Sequence, residues 1–399
     1  MMENGGIRMI EFFSGIGGFR LGVEAAIDEL VCDSGIGESV LPQKRRADGT
    51  FAESGASSLH LASCHAYEIS LFANGVYERN FKDNKEDDAQ SENAEKGKRS
   101  KHKNKKFGVH TKLVEQLKVE QLDGKADLWT MSPPCQPFTR TRLAKQRDTA
   151  DKRTAGFLAL TKLLVSLKSP PKWIVLENVK GFVGSDAHRQ WCEQLKARGY
   201  SWQGFLLSPM QFGIPNNRMR YYQIIELSNR WSNDDILASP LTKLETRRNE
   251  SPARPLSNYV TKLPKEQLGD FLLSRETLSK NWAKDLSVIS RRDAITFCFT
   301  AAYGRILHKS SGSLLHIHAD HAFEDAPLDR SDMTAHCGSI RRFTPRELLS
   351  LFGFPPSFSF SPGVSLEKQY KLVGNSVNVN VISYVVGELL SKVPSRQIF

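Results

Sequence analysis

The chain has 399 residues, of which 40% are hydrophobic and 9% aromatic, so it can bury a core of full domain size and is not a short interaction module. Lysine and arginine number 55 against 44 aspartates and glutamates, and the net charge of +11 favours a polyanionic partner without requiring one. The six cysteines include no C-x-x-C pair and no apolar run reaches about 18 residues, which argues against a zinc site, a disulfide framework and a membrane span.

The N-terminal segment predicts a strand, a glycine-rich turn and a helix in direct succession. The strand is expected over Ile7 to Phe13, the turn over Ser14 to Gly18 and the helix over Phe19 to Leu30. Glycines at such a turn let the backbone approach a ligand closely, and the helix N-terminus offers free N–H groups to a carboxylate. The turn is either a cofactor site or an ordinary tight turn, and it is not the dinucleotide pattern G-x-G-x-x-G.

Two insertions interrupt the pattern that follows. Residues 31–60 are rich in glycine, serine and alanine, and residues 82–106 contain an acidic half and then a basic half with almost no aliphatic side chain. Neither segment can bury a core of its own. The charge run of the second is typical of a solvated loop, with a nucleic-acid or nuclear-import contact as the alternative.

A candidate ribose-binding acid lies between the insertions. Tyr67-Glu68-Ile69 reads as the end of a second strand, where Rossmann-like folds place an acid for ribose hydroxyls. Glu68 lies far beyond the usual spacing of about 20 residues after the glycines, and the first insertion accounts for the excess. The alternative is a surface glutamate at the start of a helix.

Alternating helical and strand-like stretches follow the second insertion, as in a parallel α/β sheet. Strands are expected at Asp127 to Met131, Trp173 to Leu176, Phe205 to Leu207 and Tyr221 to Ile225. From residue 229 the pattern becomes polar, irregular and rich in proline, and order returns near residue 341. We therefore predict a first domain over 1–228, a small lobe over 229–340 and a C-terminal segment over 341–399 that completes the first domain.

The strongest local signal is M-S-P-P-C-Q-P-F-T-R, residues 131–140, directly after a predicted strand. A residue before proline avoids the helical region, so the two prolines hold the chain extended and present Cys135 at the carboxyl edge of the sheet. A nucleophilic thiol also needs nearby positive charge, for which Arg140 and Arg142 are candidates by proximity. The alternative is a buried structural cysteine beside a proline turn.

Two further motifs carry candidate polar groups. Glu177 ends the apolar strand of W-I-V-L-E-N-V and is either a functional acid or a solvated capping residue. Arg218 and Arg220 stand at i, i+2 in R-M-R, so both point to one face of an extended segment. The alternative for these two is a pair of surface arginines.

Taken in order, five motifs resemble those of the C5-cytosine methyltransferases: F-S-G-I-G-G, P-P-C-Q, E-N-V, R-M-R and G-N-S-V. The residues of these motifs are most similar to those of the branch of tRNA-Asp cytosine-38 methyltransferases, which were first classed with DNA enzymes. That similarity includes C-F-T-A-A-Y-G at Cys298 to Gly304 and runs nearly end to end outside the insertions. The chain departs from the branch in the insertions and at Ala301 and Ala302, where the branch usually carries lysine and glycine.

The resemblance implies a fold and a chemistry. The fold would be α/β, a Rossmann-like S-adenosylmethionine-dependent methyltransferase with a mostly parallel sheet, helices on both faces and a small target-recognition lobe. The chemistry would be addition of a thiolate to cytosine C6, which turns the ring into an enamine whose C5 can attack the methyl sulfonium.

Residue roles follow from the same resemblance. Cys135 would be the nucleophile, Glu177 the partner of the cytosine N3, and Arg218 and Arg220 the arginines beside the base. Glu68 would contact the ribose of S-adenosylmethionine, and Val114 with Glu115 would lie near its adenine. The full set of predicted cofactor contacts is Phe13, Ser14, Gly15, Ile16, Gly17, Gly18, Glu68, Ile69, Val114, Glu115, Ser132, Pro134, Asn375 and Ser376. No metal is implied.

The resulting expectation is a tRNA (cytosine-C5)-methyltransferase acting on an anticodon-loop cytosine, cytosine-38 of tRNA-Asp. A DNA (cytosine-5)-methyltransferase with the same chemistry is the alternative. A catalytically silent nucleic-acid binder is a third reading, against which the intact Cys135, Glu177 and Arg220 argue. We expect the protein to be a monomer. We expect it in the cytoplasm, or also in the nucleus, because the N-terminus carries no secretion signal and nothing indicates a membrane.

Overall fold

The computed structural model describes residues 6–33, 59–81, 106–139, 148–246, 252–308, 310–317 and 328–391. The interpretation of residues 34–58 and 82–105 as insertions therefore lies outside the described residues. The first insertion begins later than predicted, because the N-terminal helix continues to Asp33. Ile27, Leu30 and Val31 keep the apolar spacing of a helix there.

Seven strands form the large sheet and three short strands form a second sheet. The seven are β1 (Gly6–Phe12), β2 (His60–Tyr67), β3 (Phe107–His110), β4 (Leu128–Met131), β5 (Trp173–Asn178), β6 (Ser201–Leu207) and β7 (Arg220–Glu226). The three are β8 (Val288–Ile289), β9 (Leu314–His316) and β10 (Ile340–Arg341).

Ten α-helices lie between or after these strands in the described part of the chain. The five that precede β6 are α1 (Gly18–Asp33), α2 (Leu71–Phe81), α3 (Val119–Leu122), α4 (Ala155–Ser166) and α5 (Asp186–Ala197). The later ones are α6 (Lys265–Leu268), α7 (Arg275–Leu278), α8 (Pro345–Leu351), α9 (Leu366–Asn375) and α10 (Val379–Leu390). The two helices predicted around G-N-S are confirmed as α9 and α10.

The large sheet has the strand order β3-β2-β1-β4-β5-β7-β6. The pairs β1–β2, β1–β4, β2–β3 and β4–β5 are parallel, which confirms the mostly parallel sheet predicted from the alternating pattern. The strand predicted at Tyr221 to Ile225 is the exception, because β7 runs antiparallel to β5, with Tyr221 opposite Asn178 and Glu226 opposite Trp173. The chain reaches β6 first and then turns back into the sheet between β5 and β6.

The central strands β4 and β5 are mainly apolar, as expected for strands of a sheet that is covered on both faces. Every residue of β4 and of β5 is buried. Around them lies one large core that includes Phe12, Trp129 and Phe157. Phe157 packs against Trp191 of α5, with ring centroids 5.5 Å apart, so α4 and α5 share this core.

The described chain divides into two compact units. The first unit comprises Met1–Leu206, Tyr221–Arg247 and Ile382–Phe399. The second unit comprises Leu207–Arg220 and Arg248–Val381. It has a small core of its own, formed around Leu314 of β9.

This division differs from the predicted boundaries at three places. Residues 207–220, predicted within the first domain, belong to the second unit. The residues from 229 to 246, predicted to open the small lobe, belong to the first unit, where Arg230 Nη1 donates to the carbonyl oxygen of Leu389 at 2.8 Å. Residues 341–381, predicted to complete the first domain, belong to the second unit. There Arg341 and Glu347 form a buried, two-bond ion pair at 2.8 and 2.7 Å.

Candidate active site

Three parallel strands of the first unit end at one edge of the sheet. Phe12 of β1 lies opposite Met131 of β4, and Met131 lies opposite Leu176 of β5. The segments that follow are joined by side chains: the Ser132 hydroxyl donates to the Phe13 carbonyl at 3.2 Å, and Asn178 donates to the Pro133 carbonyl at 3.4 Å. The glycine turn, the P-P-C segment and the end of β5 therefore form one surface, as the sequence predicted.

The turn after β1 has an unusual backbone. Gly15 and Gly17 have φ values of +53° and +88°, which glycine adopts without a steric penalty. Phe13 also has a positive φ, +55°, which is uncommon for a bulky residue and is found chiefly at functional sites. Two backbone hydrogen bonds hold the turn, Ser14 N to the Tyr67 carbonyl at 3.2 Å and Gly17 N to the Ser14 carbonyl at 3.0 Å.

Glu68 is part of this turn's structure. Its two carboxylate oxygens accept hydrogen bonds from the backbone N–H groups of Gly15 at 3.1 Å and Ser70 at 2.8 Å. The neighbouring Ile69 is 58% exposed, so an apolar surface adjoins the carboxylate. The structure thus brings the predicted ribose-binding acid to the glycine turn despite the long stretch of sequence between them.

A buried polar group supports the turn from behind. Glu11 of β1 accepts a hydrogen bond from the Tyr77 hydroxyl at 2.9 Å, and Tyr77 packs with Phe81 on α2. Burial raises the pKa of Glu11 to about 8, although the hydrogen bond from Tyr77 and the charge of Arg20 lower it. The carboxyl group is therefore mainly protonated at neutral pH.

Val114 and Glu115 begin a short 3₁₀ helix, Val114–Gln116, whose first residue is buried in the core of the first unit. Gly156 of α4 lies against this helix and the turn. A Cβ at Gly156 would lie 3.2 Å from the Phe13 ring and 3.4 Å from Glu115 Oε2. Phe13 and Glu115 thus both lie against Gly156, a residue that the sequence did not identify as part of the site.

Cys135 follows β4 and begins the 3₁₀ helix Gln136–Phe138, with φ −84° and ψ −16°. Its carbonyl accepts the backbone N–H of Phe138 at 3.0 Å, and the Phe138 ring packs edge-on against Phe182 at 5.0 Å. Pro134 and the cysteine itself are half-buried. The thiol is therefore held on a short, well-packed element that leaves it accessible.

A cation near this thiol comes from a segment that the sequence analysis did not identify. Arg140 and Arg142 lie outside the described residues. Arg153 interacts electrostatically with Cys135, and its guanidinium is held by Asp151 through hydrogen bonds of 2.9 and 2.6 Å. Sequence reasoning missed Arg153 because only the folded chain brings it near the cysteine.

Glu177 is the fifth residue of β5 and is only 8% exposed. Its backbone pairs with that of Tyr222 on β7. Glu177 is therefore not a solvated surface residue, and its backbone lies near the edge that carries the P-P-C segment.

The two arginines of R-M-R lie in the second unit and differ from each other. Arg218 is 4% exposed, and its Nη atoms donate to the carbonyl oxygens of Phe299 at 3.0 Å, Gly374 at 3.2 Å and Ser376 at 2.8 Å. The Nη donors of Arg218 thus hold three backbone segments together, and its contact with the base stays a prediction. Arg220 is half-buried, and its Nη1 donates to the Met219 carbonyl at 2.8 Å.

Asn375 and Ser376 lie where the sequence placed them, at the end of α9. Asn375 is the last helical residue and is exposed, while Ser376 follows with an extended backbone and is buried. The Arg218 bond to the Ser376 carbonyl fixes this turn within the second unit. Their contact with a cofactor stays a prediction.

Comparison with known families decides the class of the protein. The family model for C-5 cytosine-specific DNA methylases matches residues 50–391. The chain belongs to this family. The methyltransferase is 32% identical over 290 residues to the tRNA (cytosine(38)-C(5))-methyltransferase of Schizosaccharomyces pombe, covering 70% of this chain and 84% of that one. It is 29% identical to a Dictyostelium discoideum DNA (cytosine-5)-methyltransferase, covering 96% and 94%.

A solved structure supports the same relationship. The S. pombe Dnmt2 methyltransferase superposes with a TM-score of 0.67 at 26% identity, covering 96% of this chain and 98% of that one. The predicted methyltransferase fold is therefore confirmed, and the protein is an enzyme of cytosine C5 methyl transfer. No group of three or more potential metal ligands, and no helix able to span a membrane, occurs among the residues that the structure describes.

The glycine turn fits S-adenosylmethionine, the methyl donor that the family implies. Within the described chain the Ser14 hydroxyl is buried without a hydrogen-bond partner, so the turn holds an unused polar group. The N-terminus of α1 directly follows and provides free N–H groups for a carboxylate. A methionine-like ligand would satisfy both.

We expect Gly17→Ala to disrupt the turn more than Gly15→Ala. Both positions have positive φ, which strains an alanine by about 1 kcal/mol. A Cβ at Gly17 would also overlap the Phe81 ring and meet Tyr77, whereas one at Gly15 meets nothing within 4 Å. Urea unfolding should therefore show a loss of about 3 kcal/mol for Gly17→Ala and about 1 kcal/mol for Gly15→Ala. Equal losses would contradict the packing of α2 beneath the turn.

Proposed function

We propose that this methyltransferase transfers a methyl group to C5 of a tRNA cytosine, cytosine-38 of tRNA-Asp. The observation that carries the chemistry is the hydrogen bond between Ser132 and the Phe13 carbonyl, because it joins the segment of the nucleophile to the glycine turn. The substrate assignment rests on the S. pombe relative, whose activity on tRNA cytosine-38 is stated in its name. A DNA substrate is the second candidate, supported by the Dictyostelium relative.

In this mechanism Cys135 is the nucleophile. Its thiolate adds to C6 of the cytosine and forms a carbon–sulfur bond, while the electrons of the C5–C6 double bond move towards C5. Arg153 interacts electrostatically with Cys135 and so places positive charge near the nucleophile. The prolines before Cys135 and the packed helix after it reduce the entropy lost when the sulfur is aligned with the base.

Glu177 and Arg220 activate the base. Addition at C6 pushes negative charge towards N3 and O2, and a proton at N3 from Glu177 offsets that charge. Arg220 provides guanidinium N–H groups for O2, whereas the Nη atoms of Arg218 hold the carbonyls of Phe299 and Ser376. After the transfer, loss of the C5 proton and release of the sulfur restore the aromatic ring.

S-adenosylmethionine supplies the electrophilic methyl group when bound, and S-adenosylhomocysteine is the product. We propose that the turn holds the methionine part and that Glu68 and Ile69 contact the ribose and adenine. Exposed Ile69 beside a fixed carboxylate supports this, since a nucleoside needs an apolar face and an acceptor. We also propose that Val114 and Glu115 contact the adenine; Glu115 lies close to Phe13, because both side chains pack against Gly156.

An anticodon loop suits an enzyme that must enclose the base. Extruding a base from a duplex costs a few kcal/mol, and an unpaired loop base costs less. The net charge of +11 is consistent with phosphate contacts, although it does not distinguish RNA from DNA. The cytoplasmic or nuclear location and the monomeric state stay predictions.

A competition between substrates tests the proposal. With labelled S-adenosylmethionine, tRNA-Asp should accept the methyl group at least about tenfold faster than duplex DNA of the anticodon-loop sequence, because the duplex adds the cost of extrusion. The matched control is the same tRNA with uridine at position 38, which should accept none there. Equal or faster transfer to DNA would establish the second candidate instead.

A further inference from the structure

Cys298 of the C-F-T motif lies between the two arginines of R-M-R. Its sulfur is 3.5 Å from Arg218 Nη1 and 3.6 Å from Arg220 Nη2. The cysteine is half-buried, and all three residues belong to the second unit. No role for this sulfur follows from the proposed mechanism.

The surroundings of Arg218 lack a conventional counter-charge. Its guanidinium stacks over the Phe352 ring at 4.9 Å, and its contacts besides Cys298 are backbone carbonyls. Among the residues that the structure describes, no carboxylate contacts it. A buried cation without a nearby anion is costly, because carbonyl dipoles replace only part of its hydration.

We propose that Cys298 is a positioning residue that, as a thiolate, serves as the shared counter-ion of Arg218 and Arg220 and fixes the guanidinium of Arg220 for the base. This inference rests on the proposed function, because Arg220 matters here as the partner of the cytosine O2. Cys298 itself touches neither the base nor the cofactor in this proposal.

The electrostatics of the cysteine agree with this geometry. Burial alone raises the pKa of the Cys298 thiol, but the charges of Arg218 and Arg220 and their hydrogen bonds outweigh it, and the net pKa is lowered. A buried apolar cysteine would show the opposite, as Cys192 does, where burial raises the pKa to about 12. The two cysteines differ in the arginines that face only Cys298.

A thiolate also has an advantage over a carboxylate in this place. A carboxylate commonly binds a guanidinium through two parallel N–H bonds and would take up two of the Arg220 donors. The single sulfur accepts one bond from each arginine, so it is shared between the two guanidinium groups.

The first test measures the charge state of Cys298 and needs no substrate. Thiolate absorbance near 240 nm is titrated in the Cys135→Ser protein and in Cys135→Ser with Cys298→Ser. The difference between the two curves belongs to Cys298, and its midpoint should lie below that of an ordinary cysteine, about 8.5. A midpoint at or above that value would overturn the proposal. The exposed Cys337, measured by the same subtraction, is the control and should titrate as an ordinary cysteine.

The second test asks whether the charge positions Arg220. Cys298→Ser keeps the size of the side chain but removes the anion, and kcat should fall about tenfold while KM for S-adenosylmethionine is unchanged. Cys298→Asp, which restores an anion, should recover part of the loss, whereas Cys337→Ser should match the unmodified protein. An unchanged kcat in Cys298→Ser would refute the positioning role even if the thiolate is present.

The two proposals fail in different ways. If the proposed function is wrong, the unmodified protein methylates no tRNA, whereas the titration still decides whether Cys298 is a thiolate. If only the present inference is wrong, the unmodified protein is active and Cys298→Ser is equally active. Thermal unfolding of each variant separates loss of the arginine geometry from loss of the fold.

Discussion

Replacing Cys135 with serine is expected to lower kcat by at least about 10⁴-fold, because a serine hydroxyl is scarcely ionised at neutral pH and cannot add to cytosine C6. The helix at Gln136–Phe138 and the prolines need no change to accept serine, so the fold should be retained. Single-turnover transfer of label from S-adenosylmethionine to tRNA-Asp measures the loss, since it reports the chemical step without product release.

A trapped covalent adduct provides a second test of Cys135 as the nucleophile. With 5-fluorocytosine at position 38, no proton can leave C5, so the sulfur should stay bonded to C6 and the RNA should migrate with the protein on a denaturing gel. Cys135→Ser should form no such complex. Cys32→Ser, which changes an exposed cysteine of α1, should form it normally. An adduct in the Cys135→Ser protein would assign the nucleophile to a different residue.

Glu177→Gln is the second change with a large expected effect, a fall in kcat of about 10² to 10⁴-fold. Glutamine occupies the same volume at the buried end of β5 but has no acidic proton for N3. The KM for S-adenosylmethionine should change little, because the glycine turn and Glu68 are untouched. Steady-state kinetics with tRNA as the fixed saturating substrate provide both values.

Glu193→Gln is the matched control for this variant, since Glu193 is an exposed carboxylate on α5 of the same unit. It should leave both kinetic constants unchanged. A Glu177→Gln enzyme with normal kcat would show that protonation of N3 is not required from this side chain. Circular dichroism of the two variants should be the same as that of the unmodified protein.

The elements that carry chemistry could be predicted because their signals are local. A continuous apolar run followed by glycine or proline marks a buried strand and the end of that strand, so β1, β4 and β5 were expected close to their observed bounds. Parallel neighbours end at one edge, and this brings Ser14, Cys135 and Glu177 to the same surface.

Other site residues could not be predicted because only long-range packing gives them a role. Arg153 reaches Cys135 across a segment that follows the nucleophile, and Gly156 matters because Phe13 and Glu115 pack against it. Arg218 and Arg220 look equivalent in R-M-R. They differ because three backbone carbonyls of the second unit surround Arg218.

The boundaries of the two units differ from the predicted ones for a similar reason. Proline-rich, polar composition marks residues 229–246 as irregular, but it does not show which core they cover. The bonds from Arg230 to Leu389 and from Arg341 to Glu347 join residues whose partners no periodicity reveals. Such individual contacts determine which unit an irregular segment packs against.

The antiparallel direction of β7 determines at which end of the sheet its first residues lie. Had β7 run parallel to β5, its first residues would start beside Trp173, at the opposite end from Asn178. Because it is antiparallel, Tyr221 starts beside Asn178. Doubly wound sheets ordinarily carry functional groups only at the edge where the parallel strands end, whereas in this sheet an antiparallel strand also begins at that edge. Tyr221 thus reaches that edge directly, without a crossover helix.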